Sequence, residues 1–181
     1  MKWIRKSSLE PLAVSMPGVK LGDRLLVIGC SDPLLIAALA SKSGLTGRAC
    51  AADEDEALAA EAGRIAEREG ALIETARAPG WVVPYDTASF DVVVLRSLVS
   101  VPEGATGAVR EALRVLRPGG RGVAIEGTPR SGLSTLFGGA QRAAPGAAVI
   151  AGALTDAGFV AVRILAERAQ MVFAEGVKRN V

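Results

Sequence analysis

Apolar strand-like runs alternate with helical ones from residue 20 almost to the end of the chain. That alternation predicts an α/β fold, a doubly wound and mostly parallel sheet covered by helices on both faces. Two further observations sharpen the prediction. The run Leu25-Leu26-Val27-Ile28 ends in Gly29 and leads directly into a Leu/Ala-rich segment after Pro33, the signature of a buried strand turning into a helix. The last two strand-like runs, Val160 to Leu165 and Gln170 to Ala174, are separated by too few residues for a crossover, so they pair antiparallel at one edge.

The elements follow in order. The first strand is Arg24 to Ile28 and its helix runs from Pro33 to about Ser43; Gly44-Leu45-Thr46-Gly47 turns the chain into a second strand, Arg48 to Ala52. Asp53-Glu54-Asp55-Glu56 opens a second helix, with its acids in the first turn where they favour the dipole, and Gly70 ends it near Glu69. A third strand is read over Ala71 to Thr75, then a loop from Pro79 to Asp86 punctuated by two prolines and a glycine. Phe90 to Leu95 is the clearest central strand, β-branched and unbroken. A helix from about Ala105 to Leu116 is stopped by Pro118-Gly119-Gly120, and Gly122 to Glu126 is a fifth strand. After the Gly/Ala/Ser-rich stretch 127–147 comes a helix from about Ala148 to Ala157, ended by Gly158.

Composition narrows the function. At 181 residues the chain is read as one domain over residues 18–181, preceded by a basic N-terminal arm, residues 1–17. Half the residues are hydrophobic but only 4% are aromatic, so the core is built from Ala, Val, Leu and Ile. A net charge of +2, with no Lys/Arg stripe interleaved with aromatics, argues against nucleic acid. Cys30 and Cys50 lack metal-ligand spacing and read as small core residues, so no metal site is expected and a reducing, cytoplasmic setting fits. No run approaches the roughly 20 apolar residues of a membrane span. Met1-Lys2-Trp3-Ile4-Arg5-Lys6 offers two apolar side chains flanked by cations, suited to a partner protein or to the periphery of an anionic membrane, or simply a loosely docked terminus. The chain contains no histidine, which removes the commonest general base and the commonest metal ligand together.

In such sheets ligands bind at the carboxyl ends of the strands. Gly29, Asp53 and the loop from Ala76 to Trp81 all follow strand ends, and so converge on one cleft. A helix N-terminus there supplies unpaired N–H donors and partial positive charge. Asp53 suits a ribose diol, whose two O–H groups a carboxylate can accept; it equally suits a helix N-cap, because Glu56 stands three residues on.

Four stretches give the chain its family likeness: Leu25-Leu26-Val27-Ile28-Gly29-Cys30; Asp53 after the second strand; Ser89-Phe90-Asp91-Val92-Val93-Val94; and Ala112-Leu113-Arg114-Val115-Leu116-Arg117-Pro118-Gly119-Gly120. Asp156-Ala157-Gly158-Phe159 before the final hairpin supports them. Over about residues 18 to 176 the chain resembles a class I S-adenosylmethionine-dependent methyltransferase, of the small methyltransferase type 11-like kind that includes quinone biosynthesis enzymes. The resemblance implies a Rossmann-like, seven-stranded sheet whose last strand is inserted antiparallel. It places the methionine part of S-adenosylmethionine over Gly29, Cys30, Ser31 and Asp32 and the ribose against Asp53. Trp81 would stack on an adenine or a substrate, or else pack on the sheet edge.

The chain departs from the family pattern at the cofactor contacts. Val27 stands where an acid is usual in the first strand, Ser31 and Pro33 replace the second and third loop glycines, and Pro79 falls where an acid usually meets the adenine amine. Two missing charged hydrogen bonds are expected to weaken cofactor binding by roughly several hundred-fold or more. Two main readings follow: a methyltransferase acting on a small molecule, or a catalytically inactive subunit of the same fold (a pseudoenzyme) that binds or stabilises a larger, membrane-associated assembly through its basic N-terminus and the apolar stretch from Ser131 to Ala153. A third, a nicotinamide-dependent oxidoreductase, is disfavoured because Gly29-Cys30-Ser31-Asp32-Pro33-Leu34 fails the Gly-x-Gly-x-x-Gly spacing. No catalytic residue is assigned; Tyr85, Asp86, Asp91 and Glu126 are the cleft-side candidates.

Overall fold

A computed structural model describes residues 11–97, 102–127, 146–168 and 170–180, the side chains of 102–105 excepted. The basic residues of the N-terminal arm and most of the Gly/Ala/Ser-rich stretch lie outside that range. The elements are α1 (Leu12–Ser15), β1 (Arg24–Ile28), α2 (Pro33–Ser43), β2 (Arg48–Asp53), α3 (Glu56–Arg68), β3 (Glu74–Arg77), a 3-10 turn (Pro79–Trp81), β4 (Phe90–Arg96), α4 (Pro102–Val115), β5 (Leu116–Glu126), α5 (Ala147–Ala157), β6 (Val160–Arg168) and β7 (Met171–Val177).

The strands form a seven-stranded sheet in the order β3-β2-β1-β4-β5-β7-β6. β1 to β5 are mutually parallel, and β7 runs antiparallel to both neighbours, between β5 and β6. This is the doubly wound architecture expected, with the order reversing at β1 and β4. Successive side chains of β1 go to opposite faces: Leu26 and Ile28 join the core shared with α4 and α5, while Leu25 and Val27 join the core under α1, α2 and α3.

Three of the differences from the sequence reading have a clear physical cause. β3 lies at Glu74–Arg77 rather than Ala71 to Thr75, because Gly70 and Ala71 are spent on ending α3, where the Ala71 N–H bonds to the Ala66 carbonyl. The register then pairs Cys50 with Glu74 and Asp53 with Arg77, and Arg48 and Glu74 form an ion pair of 2.7 Å across the edge. Pro118-Gly119-Gly120 interrupts β5 rather than preceding it. Phe90 pairs with Leu116 and Val92 with Arg121, so the intervening residues bulge out, with Gly119 at φ 73°. Residues 11–17, read as the end of an arm, contribute Val14 to the core, and the Arg121 guanidinium holds the Pro17 and Gly18 carbonyls at 2.9 and 3.0 Å.

No helix among the described residues is long and apolar enough to cross a membrane. No group of His, Cys, Asp and Glu among them could hold a metal ion.

Candidate functional site

The carboxyl end of β1 is built by four fully buried apolar residues, Leu25 to Ile28, followed by Gly29 at φ 96°. That left-handed conformation turns the chain out of the sheet at little cost only in glycine. The Gly29 N–H still reaches the Ala52 carbonyl of β2 at 2.9 Å, so the turn is hung from the neighbouring strand. The Cys30 N–H then donates to Asp53 Oδ2 at 2.6 Å, and the Asp55 N–H donates to Asp53 Oδ1 at 2.9 Å. Asp53, 6% exposed, therefore clamps the β1 loop to the start of α3. Each oxygen keeps lone-pair capacity for a ligand hydroxyl. The N-cap of α3 is Asp55, which accepts the Ala57 N–H at 2.8 Å; the N-cap reading of Asp53 is corrected, because Asp53 is still the last residue of β2.

At the next turn Asp32 caps α2, its Oδ1 accepting the Leu35 N–H at 3.2 Å, and Pro33 occupies the first helical position, where no N–H is required. Behind Asp32 stands a residue the sequence reading passed over. Arg96, the last residue of β4, is only 4% exposed. Its Nη1 donates to the Gly127 carbonyl at 3.0 Å, to the Ile125 carbonyl at 3.4 Å and to Ser97 Oγ, and its Nη2 lies 3.8 Å from Asp32 Oδ2. Its buried Nε has no hydrogen-bond partner among the described residues. Burial draws the Arg96 guanidinium below its ordinary range, and the Asp32 and Glu126 carboxylates oppose that shift. A guanidinium still keeps its proton under such conditions. Glu126, fully buried at the end of β5, completes a charged cluster over the ends of β4 and β5 and the mouth of α2.

Of the cleft-side candidates, Glu126 alone is at the carboxyl edge. Tyr85 lies at the opposite edge, its ring edge-on to Phe90 at 5.2 Å and beneath the Arg48 guanidinium at 5.5 Å; burial above all pushes its hydroxyl well above the usual phenol range. Asp91 is also at that amino edge. Burial pushes its carboxyl up, but the Arg24 N–H at 2.7 Å and the Arg117 and Arg24 side chains outweigh it and hold it below the usual range. Asp86 is an exposed loop residue whose carbonyl accepts Ser89 Oγ–H at 2.7 Å. Trp81, with φ 62°, packs into the core with Ala78, Val83 and Val109 and is 9% exposed, so sheet packing holds its ring. Val27 is fully buried among apolar neighbours, so the position usual for an acid is here part of the core.

Cys30 is pushed up to about 12 by burial and by the Asp53 charge, and Cys50 to about 11, chiefly by burial. Neither is a nucleophile near neutral pH, where reactivity follows the thiolate. Both thiols are expected to resist a chromogenic disulfide reagent at pH 8 in the native protein and to react together on unfolding in urea. Rapid native labelling of either would contradict this placement.

The sequence model of the family described as "Methyltransferase domain" matches residues 25–120, from the first residue buried in β1 to the Gly-Gly of the β5 bulge. The chain belongs to the methyltransferase-domain family. Its members take the methyl group from S-adenosylmethionine. The curated 27-O-demethylrifamycin SV methyltransferase of Amycolatopsis mediterranei is 38% identical over 115 residues, covering 62% of this chain and 41% of that protein. The match thus spans about two-fifths of that relative's length. Among solved structures, a SAM dependent methyltransferase from Aquifex aeolicus superposes with TM-score 0.69 at 16% identity, over 93% of this chain and 94% of that one. The YcgJ protein of Bacillus subtilis superposes with TM-score 0.70 at 13% identity, over 94% and 97%. At these identities the structural likeness establishes the fold.

Proposed function

We propose that this methyltransferase-family chain binds S-adenosylmethionine at the carboxyl ends of β1 and β2 and methylates a small organic molecule. The observation that carries the reading is the 2.6 Å bond from the Cys30 N–H to Asp53, which sets the glycine turn and a buried carboxylate side by side. Gly29, Cys30 and Ser31 would hold the methionine portion, and the remaining lone pairs of Asp53 would take the ribose hydroxyls. The cofactor supplies an electrophilic methyl group. What the chain contributes is position: methyl transfer to a well-placed nucleophile runs largely on proximity and orientation, which suits a site without histidine. The curated relative's name describes methylation at an oxygen of a rifamycin, and by that likeness an oxygen on a small molecule is the proposed acceptor.

A second reading, an inactive subunit of the same fold, is favoured by Val27 and Pro79, which stand where the family places acids. Calorimetric titration with S-adenosylmethionine and S-adenosylhomocysteine separates the two. Saturable binding in the micromolar range is the expected result; silence at millimolar ligand would overturn the enzyme reading and leave the subunit.

A further inference from the structure

A large cavity opens beside the Gly29 turn, and its described lining includes neither Gly29 nor Asp53. It has a volume of about 790 Å³ and lies between α1, α2 and the β6–β7 hairpin. That is within the size range of small-molecule sites, roughly 300–1,000 Å³. The single turn of α1 contributes Leu12 and Val14 to the cavity lining, α2 contributes Leu34 and Ala38, and the hairpin contributes Met171 and Phe173. Its walls are mostly apolar, with Leu35 completing them. Asp32 is the one carboxylate among its described lining residues, and sits three positions after Gly29.

We propose that this cavity holds the methyl acceptor, a mainly apolar molecule that presents a neutral hydroxyl to Asp32; the proposal rests on the methyltransferase reading above. The charges select that chemistry. Asp32 repels an anion at the cofactor end, while Lys42 and Arg168 in the lining and Arg96 behind Asp32 disfavour a cation. A neutral donor satisfies both. Asp32 is fixed for the purpose, with Oδ1 tied to the Leu35 N–H at 3.2 Å and Oδ2 facing Arg96 at 3.8 Å, and its side chain is 35% exposed. Asp32 is thus a positioning residue toward the acceptor.

The test is calorimetric titration of the full chain with 1-naphthol and with 1-methoxynaphthalene, which lacks the donor. Naphthol is expected to bind saturably and about tenfold more tightly than the ether, the worth of one hydrogen bond to a charged group. Asp32→Asn preserves the helix cap and is expected to remove most of that difference. Leu34→Glu, at a lining position 61% exposed and so safe for folding, and Ala38→Trp, which fills the cavity, are each expected to weaken both ligands about tenfold or more, with S-adenosylhomocysteine binding unchanged. Failure of the wild type to bind naphthol overturns the proposal. So does indifference to Leu34→Glu and Ala38→Trp, or a dimer in sedimentation that Leu34→Glu dissolves, which would assign the face to a second copy. Equal affinity for naphthol and its ether overturns the role of Asp32. Naphthol binding as expected without S-adenosylhomocysteine binding would sink the methyltransferase reading and leave the cavity a hydroxyl-selective site; the reverse pattern would sink only the cavity.

Discussion

Asp53→Ala is expected to reduce S-adenosylhomocysteine affinity by about a hundred-fold or more, and to lower stability by about 2–4 kcal/mol. The two effects share a cause. Asp53 is 6% exposed and accepts the Cys30 and Asp55 N–H groups, so alanine leaves two backbone donors without partners. On the function proposed above, it also removes the carboxylate that would take the ribose hydroxyls. Asp53→Asn separates the contributions. The asparagine carbonyl can accept from one N–H while its NH₂ must confront the other, so about half the stability loss is expected, with most of the affinity loss retained. Urea unfolding and calorimetry measure the two quantities independently. Asp53→Ala binding with wild-type affinity would mean that the β2 carboxylate serves the loop alone.

The second large effect lies at the far side of the sheet. Phe159, 3% exposed, follows the left-handed Gly158 that ends α5 and lays its ring against Gly122 and Gly176. Those two glycines are direct partners on β5 and β7. A Cβ on Gly122 would lie 2.6 Å from the Phe159 ring, and one on Gly176 2.7 Å from the Phe159 Cβ, so both positions are needed for space. Phe159→Ala is expected to cost about 3–5 kcal/mol through the cavity it leaves. Gly122→Ala is expected to cost about 1–3 kcal/mol by overpacking in the wild-type background, and close to nothing in the Phe159→Ala background. A double-mutant cycle in urea checks this coupling; additive losses would show that the slot is not what constrains Gly122.

Much of this arrangement was legible in the sequence because the physics is local. Unbroken apolar runs gave β1 and β4, and Gly29 and Gly158 marked turns that need positive φ. The edge strand β3 was misplaced because its residues are polar and only pairing with β2 fixes its register. The same limit applied to the site. Gly29 follows β1 and Asp53 ends β2, so both can be matched by counting, whereas Arg96 reads locally as the point where an apolar strand meets water. Topology alone brings Asp32 and the ends of β4 and β5 around it and turns a surface-like residue into a buried one. Tyr85 and Asp91 differ in the opposite sense: Tyr85 precedes β4 and Asp91 is its second residue, so both fall at the amino edge.

The placement of β7 between β5 and β6 has a consequence for the order of synthesis. On a ribosome, β1 to β5 can pair with one another as they emerge, but residues 160–168 have no berth in the sheet until Met171–Val177 has been made. β7 is therefore the strand that completes the sheet. A chain truncated before Met171 would carry the naked edge of β5, Arg121 to Glu126, and an unpaired nine-residue strand segment, both templates for aggregation that a cell's proteases and chaperones recognise.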